Sequence, residues 1–197
     1  QQESRLIRHK LPRAEAFAHI NKLDRMVFGS AQPRFLIATA GKAFTDVLAA
    51  LELLGLDEET SKQIGLGVYK IALIYPLAAG SLFDAARSAE EIFFVEEKRA
   101  HAEHQAKLRY FNCNTRPRIT GKLMPDETPL LPADTPLNGD VVALALAERL
   151  LASIPDLDVR VPKLAVMAER IRDRRARKAG GLSAISRRPA FCPGCPH

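Results

Sequence analysis

The chain has 197 residues, 47% of them hydrophobic, enough to bury the core of one ordinary domain with an appendage. Its net charge of +6 permits an acidic partner without demanding one, and no apolar run is long enough to span a membrane. Three unevenly placed cysteines make no disulfide framework and favour a reducing compartment, so a cytoplasmic location is the expectation.

Residues 1–30 read as a mixed, basic lead-in segment. Residues 12–20 suit a short helix with Ala16, Phe17 and Ile20 inward, and residues 23–28 run on to Gly29-Ser30. An α/β domain over 31–124 follows. Residues 34–39, Arg-Phe-Leu-Ile-Ala-Thr, predict its first strand, broken by Ala40-Gly41. A helix over 42–54 carries Phe44, Val47, Leu48, Leu51 and Leu54 at helical spacing, and Gly55 is a natural cap. Asp57 caps a second short helix that ends near Gly65.

Residues 68–98 carry the clearest pattern: strand (68–74), turn with Pro76, helix (81–89), strand (92–98). Two apolar runs flanking a helical segment are the mark of a βαβ unit in a buried parallel sheet. A helix over 100–111 and an edge strand over 116–122 complete the series, since Pro117 excludes a central position. The expected architecture is a three-layer α/β/α sandwich with a mostly parallel sheet and right-handed crossovers.

Residues 125–137 form a proline-rich linker, with Pro125, Pro129, Pro132 and Pro136. A helical connector over 138–190 follows. One helix is capped by Asn138 or Asp140 and carries Val142, Leu146 and Leu150. After a loop over 155–161, another opens at Pro162 and carries Leu164, Met167 and Ile171. The last ends in a basic run from Arg170 to Lys178. The chain opens without methionine and closes inside Phe191-Cys192-Pro193-Gly194-Cys195-Pro196-His197, so a piece of a longer polypeptide is the expectation.

Four features invite chemistry. Cys192 and Cys195 have the spacing that lets two thiolates grip a metal or an iron–sulfur cluster, or form a redox dithiol; an unligated pair fits as well. Glu96-Glu97 ends a strand where parallel sheets bind ligands, but adjacent strand residues point opposite ways, and a turn salt-bridged to Lys98 or Arg99 is expected. His101 and His104 stand three apart, unlike the pairing four apart of zinc helices, and read as an exposed polar face. The basic run could meet phosphates, but cations stabilise a helix end anyway and no aromatic residues interleave, so nucleic acid is not expected. Gly41 alone makes no dinucleotide fingerprint.

The terminal Phe-Cys-Pro-Gly-Cys-Pro-His run, together with Val95-Glu96-Glu97-Lys98, the Tyr69–Leu77 stretch Tyr-Lys-Ile-Ala-Leu-Ile-Tyr-Pro-Leu and the 116–122 stretch Arg-Pro-Arg-Ile-Thr-Gly-Lys, resembles the indolepyruvate ferredoxin oxidoreductases. The resemblance covers essentially the whole chain. It implies a transketolase C-terminal-like domain, a connector, and the opening of a pyrophosphate-binding domain at 191–197. It implies a parent enzyme that oxidatively decarboxylates aryl pyruvates. That enzyme would use thiamine diphosphate, magnesium, coenzyme A and an iron–sulfur cluster, with ferredoxin as electron acceptor. Only Cys192 and Cys195 carry over, as cluster ligands. The Gly-Asp-Gly…Asn segment that holds magnesium and diphosphate has no counterpart, so no catalytic residue is expected and the fragment alone is expected to be inactive and to hold no cofactor. Its expected partners are the other domains of the same polypeptide and further copies in a homo-oligomer.

Overall fold

A computed structural model describes residues 1–114 and 116–180, the last three as backbone only. Cys192, Cys195, His197 and the 181–190 connector lie outside the described residues.

Five strands form one sheet: β1 (Arg25–Gly29), β2 (Phe35–Ala40), β3 (Leu66–Ile71), β4 (Glu91–Val95) and β5 (Arg118–Thr120). Their order is β1-β3-β2-β4-β5. All neighbours are parallel except β1 and β3. The sheet is therefore mostly parallel, as the apolar runs predict. Every residue of β2 is buried, which is why its sequence shows no polar alternation.

Side-chain alternation along the strands feeds two separate cores. Phe35, Ile37, Val68, Phe93 and Val95 face one side. There they meet α3 (Lys42–Leu54), α7 (Gly139–Ser153) and α9 (Pro162–Gly180). Leu36, Ala38, Tyr69, Ile71, Ile92 and Phe94 face the other. They meet α5 (Ala79–Ala85) and α6 (Ala102–Tyr110). The result is the expected α/β/α sandwich.

Helix boundaries follow local chemistry. At the end of α3, Gly55 takes the left-handed conformation at φ 69°, and the Leu56 N–H returns to the Leu51 carbonyl at 2.9 Å. The Asp57 carboxylate caps α4 (Glu58–Ile64) by accepting the Thr60 N–H at 2.7 Å. The Asn138 side chain caps α7 by accepting the Val141 N–H at 3.0 Å.

The lead-in differs from expectation in two ways. Its helices, α1 (Gln2–Arg5), a π turn (Leu6–Lys10) and α2 (Leu11–Ile20), bury Ala18, while Ala16, Phe17 and Ile20 are exposed. A helix that meets its neighbour α5 near its C-terminal end, where His19 Nδ1 lies 2.8 Å from Ser81 Oγ, and buries only one small residue leaves its large apolar positions outward. Residues 25–29 form an edge strand that the sequence reading folds into the lead-in. β1 enters the sheet antiparallel to β3, and Gly29 adopts φ 76° where it meets Leu66. A Cβ there would collide with the Leu66 carbonyl oxygen, which accepts the Ser30 N–H at 2.8 Å. Gly29→Ala is therefore expected to cost about 2–4 kcal/mol in urea unfolding. Gly55→Ala, at φ 69° and ψ 28° in the left-handed helical region with open space around it, is expected to cost only about 1 kcal/mol. Equal losses at the two positions would refute the steric argument.

The composition change at 125–137 marks a change of element type rather than a break in packing. Leu131 and Leu137 are buried in the same cluster as Phe35 and Val47, and so are Val142, Leu146, Leu164 and Ile171 from the helices beyond. Small residues permit this close contact of helices. Gly139 at the start of α7 lies against Ala49, whose Cβ is only 3.0 Å from where a glycine Cβ would stand. A short helix, α8 (Leu157–Arg160), fills what the sequence predicts as a loop between α7 and α9. Among the described residues, no helix is long and apolar enough to cross a membrane.

Candidate functional site

The strand order reverses at β2, with β3 on one side and β4 on the other. The crevice between the carboxyl ends of β2 and β4 is where open α/β sheets take ligands. Gly41 and Lys42 follow β2 there, and Glu96 to Arg99 follow β4.

Glu96 is only 6% exposed, and its carboxylate is committed to its own chain. It accepts the backbone N–H groups of His101 at 3.1 Å, Ala102 at 2.8 Å and Glu103 at 3.0 Å. A negative charge on these free N–H groups stabilises the start of α6 twice, by hydrogen bonding and by complementing the helix dipole. The Glu96 carbonyl in turn accepts from Lys122 Nζ at 2.6 Å, and the same ammonium donates to the Pro132 carbonyl at 2.8 Å. Burial lowers the Lys122 pKa, against the attraction of Glu96, Glu103 and Glu97. Glu103 completes the knot, accepting the Lys122 N–H at 3.1 Å and Lys107 Nζ at 2.6 Å.

Glu97 points the other way. It accepts the Leu137 N–H at 3.2 Å. Lys42 Nζ donates to the Leu137 carbonyl at 2.5 Å and to Asp46 at 2.8 Å. The Asp46 hydrogen bond leads the effects that raise the Lys42 pKa. Glu97 Oε2 lies 3.7 Å from that ammonium, an ion pair too long for a hydrogen bond. Leu137, itself buried, thus plugs the crevice from the linker side.

The strand-end carboxylates are therefore not salt-bridged to Lys98 or Arg99, as the sequence reading expects. Lys98 takes a left-handed turn at φ 53° instead, and both carboxylates reach back into the fold. Their opposite orientations are as expected. A carboxylate that accepts three N–H groups is poorly placed to shuttle protons, so Glu96 organises the fold here. His101 and His104 are exposed, as predicted. Among the described residues, no three His, Cys, Asp or Glu side chains come together to hold a metal ion. The described residues at the strand ends do not fit a magnesium–diphosphate group. In the basic run, Arg172 pairs with Glu169 at 2.6 Å and Arg174 pairs with Asp140.

One polar centre escapes the sequence reading altogether. Glu91, fully buried at the start of β4, forms a bidentate pair with Arg149 of α7, at 2.8 Å to Nε and 2.7 Å to Nη2. Thr120 Oγ1 donates to it at 2.6 Å and Ser153 Oγ at 2.5 Å. A signal was present: Arg149 and Ser153 fall on the stripe of α7 that carries Val142, Leu146 and Leu150.

Against known proteins, the family model of the indolepyruvate oxidoreductase domain matches residues 25–176, from the start of β1 into α9. The indolepyruvate oxidoreductase subunit IorA of Methanothermobacter marburgensis is 25% identical over 188 residues, which is 95% of this chain and 25% of that subunit. The chain thus spans about a quarter of the length of that relative. Two solved structures are similar in outline. A split gene transketolase, an inactive beta4 tetramer, is 15% identical with a TM-score of 0.45, covering 66% of this chain and 42% of that one. A 2-oxoglutarate:ferredoxin oxidoreductase from Magnetococcus marinus is 11% identical with a TM-score of 0.45, covering 72% and 23%. With the family match running across the whole sheet and both helical layers, the chain belongs to the indolepyruvate oxidoreductase domain family.

Proposed function

We propose that the chain is a non-catalytic, structural and interdomain part of an indolepyruvate (aryl pyruvate) ferredoxin oxidoreductase of the cytoplasm. The parent enzyme would decarboxylate 2-oxoacids oxidatively with thiamine diphosphate and magnesium, use coenzyme A as acyl acceptor, and pass electrons through an iron–sulfur cluster to ferredoxin. Residues 25–176 serve as one unit that positions neighbouring domains. Residues 191–197 open the pyrophosphate-binding domain, with Cys192 and Cys195 as cluster ligands. The observation that carries this reading is the commitment of Glu96 and Glu97 to their own backbone at the crevice where a ligand would otherwise sit. The family membership and the quarter-length match to IorA support it.

The test is a side-by-side assay of this chain and the full-length polypeptide. Both receive aryl pyruvates, thiamine diphosphate, magnesium, coenzyme A and an artificial electron acceptor. The expected result is turnover by the full-length protein only, with no calorimetric binding of thiamine diphosphate to the 197-residue chain. Binding by the chain would overturn the non-catalytic reading, and an inert full-length protein would overturn the assignment of activity.

A further inference from the structure

Where α2 meets α5, four polar side chains come from four parts of the chain: His19 from α2, Asp24 from the bend before β1, Tyr69 from β3 and Ser81 from α5. His19 Nδ1 lies 2.8 Å from Ser81 Oγ. The Asp24 carboxylate is only 4% exposed, and its Oδ1 accepts the N–H groups of Ala72 at 2.8 Å and Leu73 at 3.2 Å. Tyr69 is 2% exposed. Burial, and then the charge of Asp24, push its hydroxyl above the ordinary phenol range, while the neighbouring Ser81 hydroxyl acts against them. The phenol is therefore neutral and lies within reach of both neighbours.

Two oxygens here lack what buried oxygens normally have. Asp24 Oδ2 and Tyr69 Oη are buried without a hydrogen-bond partner among the described residues. Nor does any Lys, Arg or His among them form an ion pair with Asp24. A buried carboxylate is ordinarily paired or bound to a metal, and a buried phenol ordinarily has a partner. A bridging water would partner both oxygens but leave Asp24 without a counter-charge. A metal cation supplies that charge and takes a lone pair from each oxygen. Neighbouring ligands of an octahedral ion with bonds of about 2.1 Å stand about 3 Å apart, close to the separation of His19 Nδ1 and Ser81 Oγ. Oxygen donors with one imidazole suit a divalent ion such as manganese.

We infer that this cluster binds a divalent metal cation, with Asp24 Oδ2 and Tyr69 Oη on its buried side and Ser81 Oγ and the exposed His19 on its solvent side. The two backbone N–H groups on Asp24 Oδ1 fix the carboxylate and leave Oδ2 for the ion. Such an ion ties the lead-in helix to the sheet. With one carboxylate and three neutral donors, half-saturation is expected at about 0.1–1 mM, the range of weakly charged sites. The inference does not rest on the parent enzyme's activity.

Paramagnetic Mn²⁺ makes occupancy readable. It is titrated into the 197-residue chain in a Cys192→Ser/Cys195→Ser background, which removes the paired thiols as competing ligands. Amide resonances are followed by NMR, which also reports whether each variant is folded. The amides of Ala72, Leu73 and Ser81 are expected to broaden first and in a saturable manner. Asp24→Asn keeps an acceptor for the Ala72 and Leu73 N–H groups but removes the charge, and is expected to raise half-saturation at least about tenfold. Tyr69→Phe and His19→Gln each remove one neutral ligand and are expected to raise it by a smaller factor, about threefold. Broadening at these amides that is absent or never saturates would overturn the site. So would a titration that is unchanged in Asp24→Asn, or unchanged in both Tyr69→Phe and His19→Gln.

Discussion

Replacing Arg149 with methionine is expected to lower the stability of the chain by about 3–5 kcal/mol, the scale for removing one partner of a buried ion pair. For a chain of 197 residues that loss corresponds to a fall of roughly 10 °C in melting temperature. The cause is the Glu91 carboxylate, left in the core without its bidentate partner. Burial pushes the Glu91 pKa up, but hydrogen bonds from Arg149, Ser153 and Thr120 more than offset this and hold it below the ordinary carboxylate value. Because the folded pKa is the lower one, the contribution is full above the unfolded value and is lost as pH falls through the folded value. The gap between wild type and Arg149→Met in urea unfolding is therefore expected to be widest near neutral pH and to narrow below about pH 4. The double variant Glu91→Leu/Arg149→Met removes the buried pair and is expected to recover about half of the loss, the rest reflecting Thr120, Ser153 and the half-exposed Arg118 left without their acceptor. A gap that stays constant with pH would mean that packing by the Arg149 side chain, not its charge, holds α7 to β4.

The parts of this fold that could be read in advance are those where local chemistry and tertiary packing agree. The limits of α3 follow from Gly41, the apolar stripe and Gly55, and its observed span is the predicted one. α4 follows from Asp57 and Gly65. Strand ends shift by several residues because the chain keeps apolar residues past the last ladder bond: Ala72 to Ile74 continue the pattern of β3 but serve the turn that leads to Pro76. β1 is hidden for a different reason. An edge strand of one exposed and four half-buried residues lacks the unbroken apolar run that marks β2 or β4. Two polar roles went unread because they depend on partners outside their own element. Glu96 is a helix cap acting five to seven residues ahead, but in sequence it reads as a strand-end acid. Glu91 and Arg149 are 58 residues apart, and only the folded chain brings them together.

Glu96→Ala is expected to cost about 3 kcal/mol, and Glu96→Gln about 2 kcal/mol, since hydrogen bonds to a charged acceptor are each stronger than neutral ones and do not add fully. The alanine variant leaves three N–H groups at the start of α6 without an acceptor, two of them on buried residues, Ala102 and Glu103. The glutamine variant keeps one acceptor oxygen but turns a second donor toward donors. Hydrogen exchange locates the damage: the amides of His101, Ala102 and Glu103 are expected to exchange at least about tenfold faster, whereas α3 and β2 change little. Lys122→Met provides the contrast. It releases the Glu96 and Pro132 carbonyls and loosens the 125–137 segment, while the α6 amides keep their carboxylate. In the full-length protein the two readings of Glu96 diverge. A carboxylate that only caps α6 lowers the yield of folded enzyme when changed to glutamine, with kcat per folded site and its pH profile unaltered. A carboxylate that moves a proton lowers kcat and reshapes the pH profile at little cost in stability. The second pattern would return the β4 end to the catalytic centre, and the first would leave it as the latch that fastens α6, β5 and the linker to one corner of the sheet.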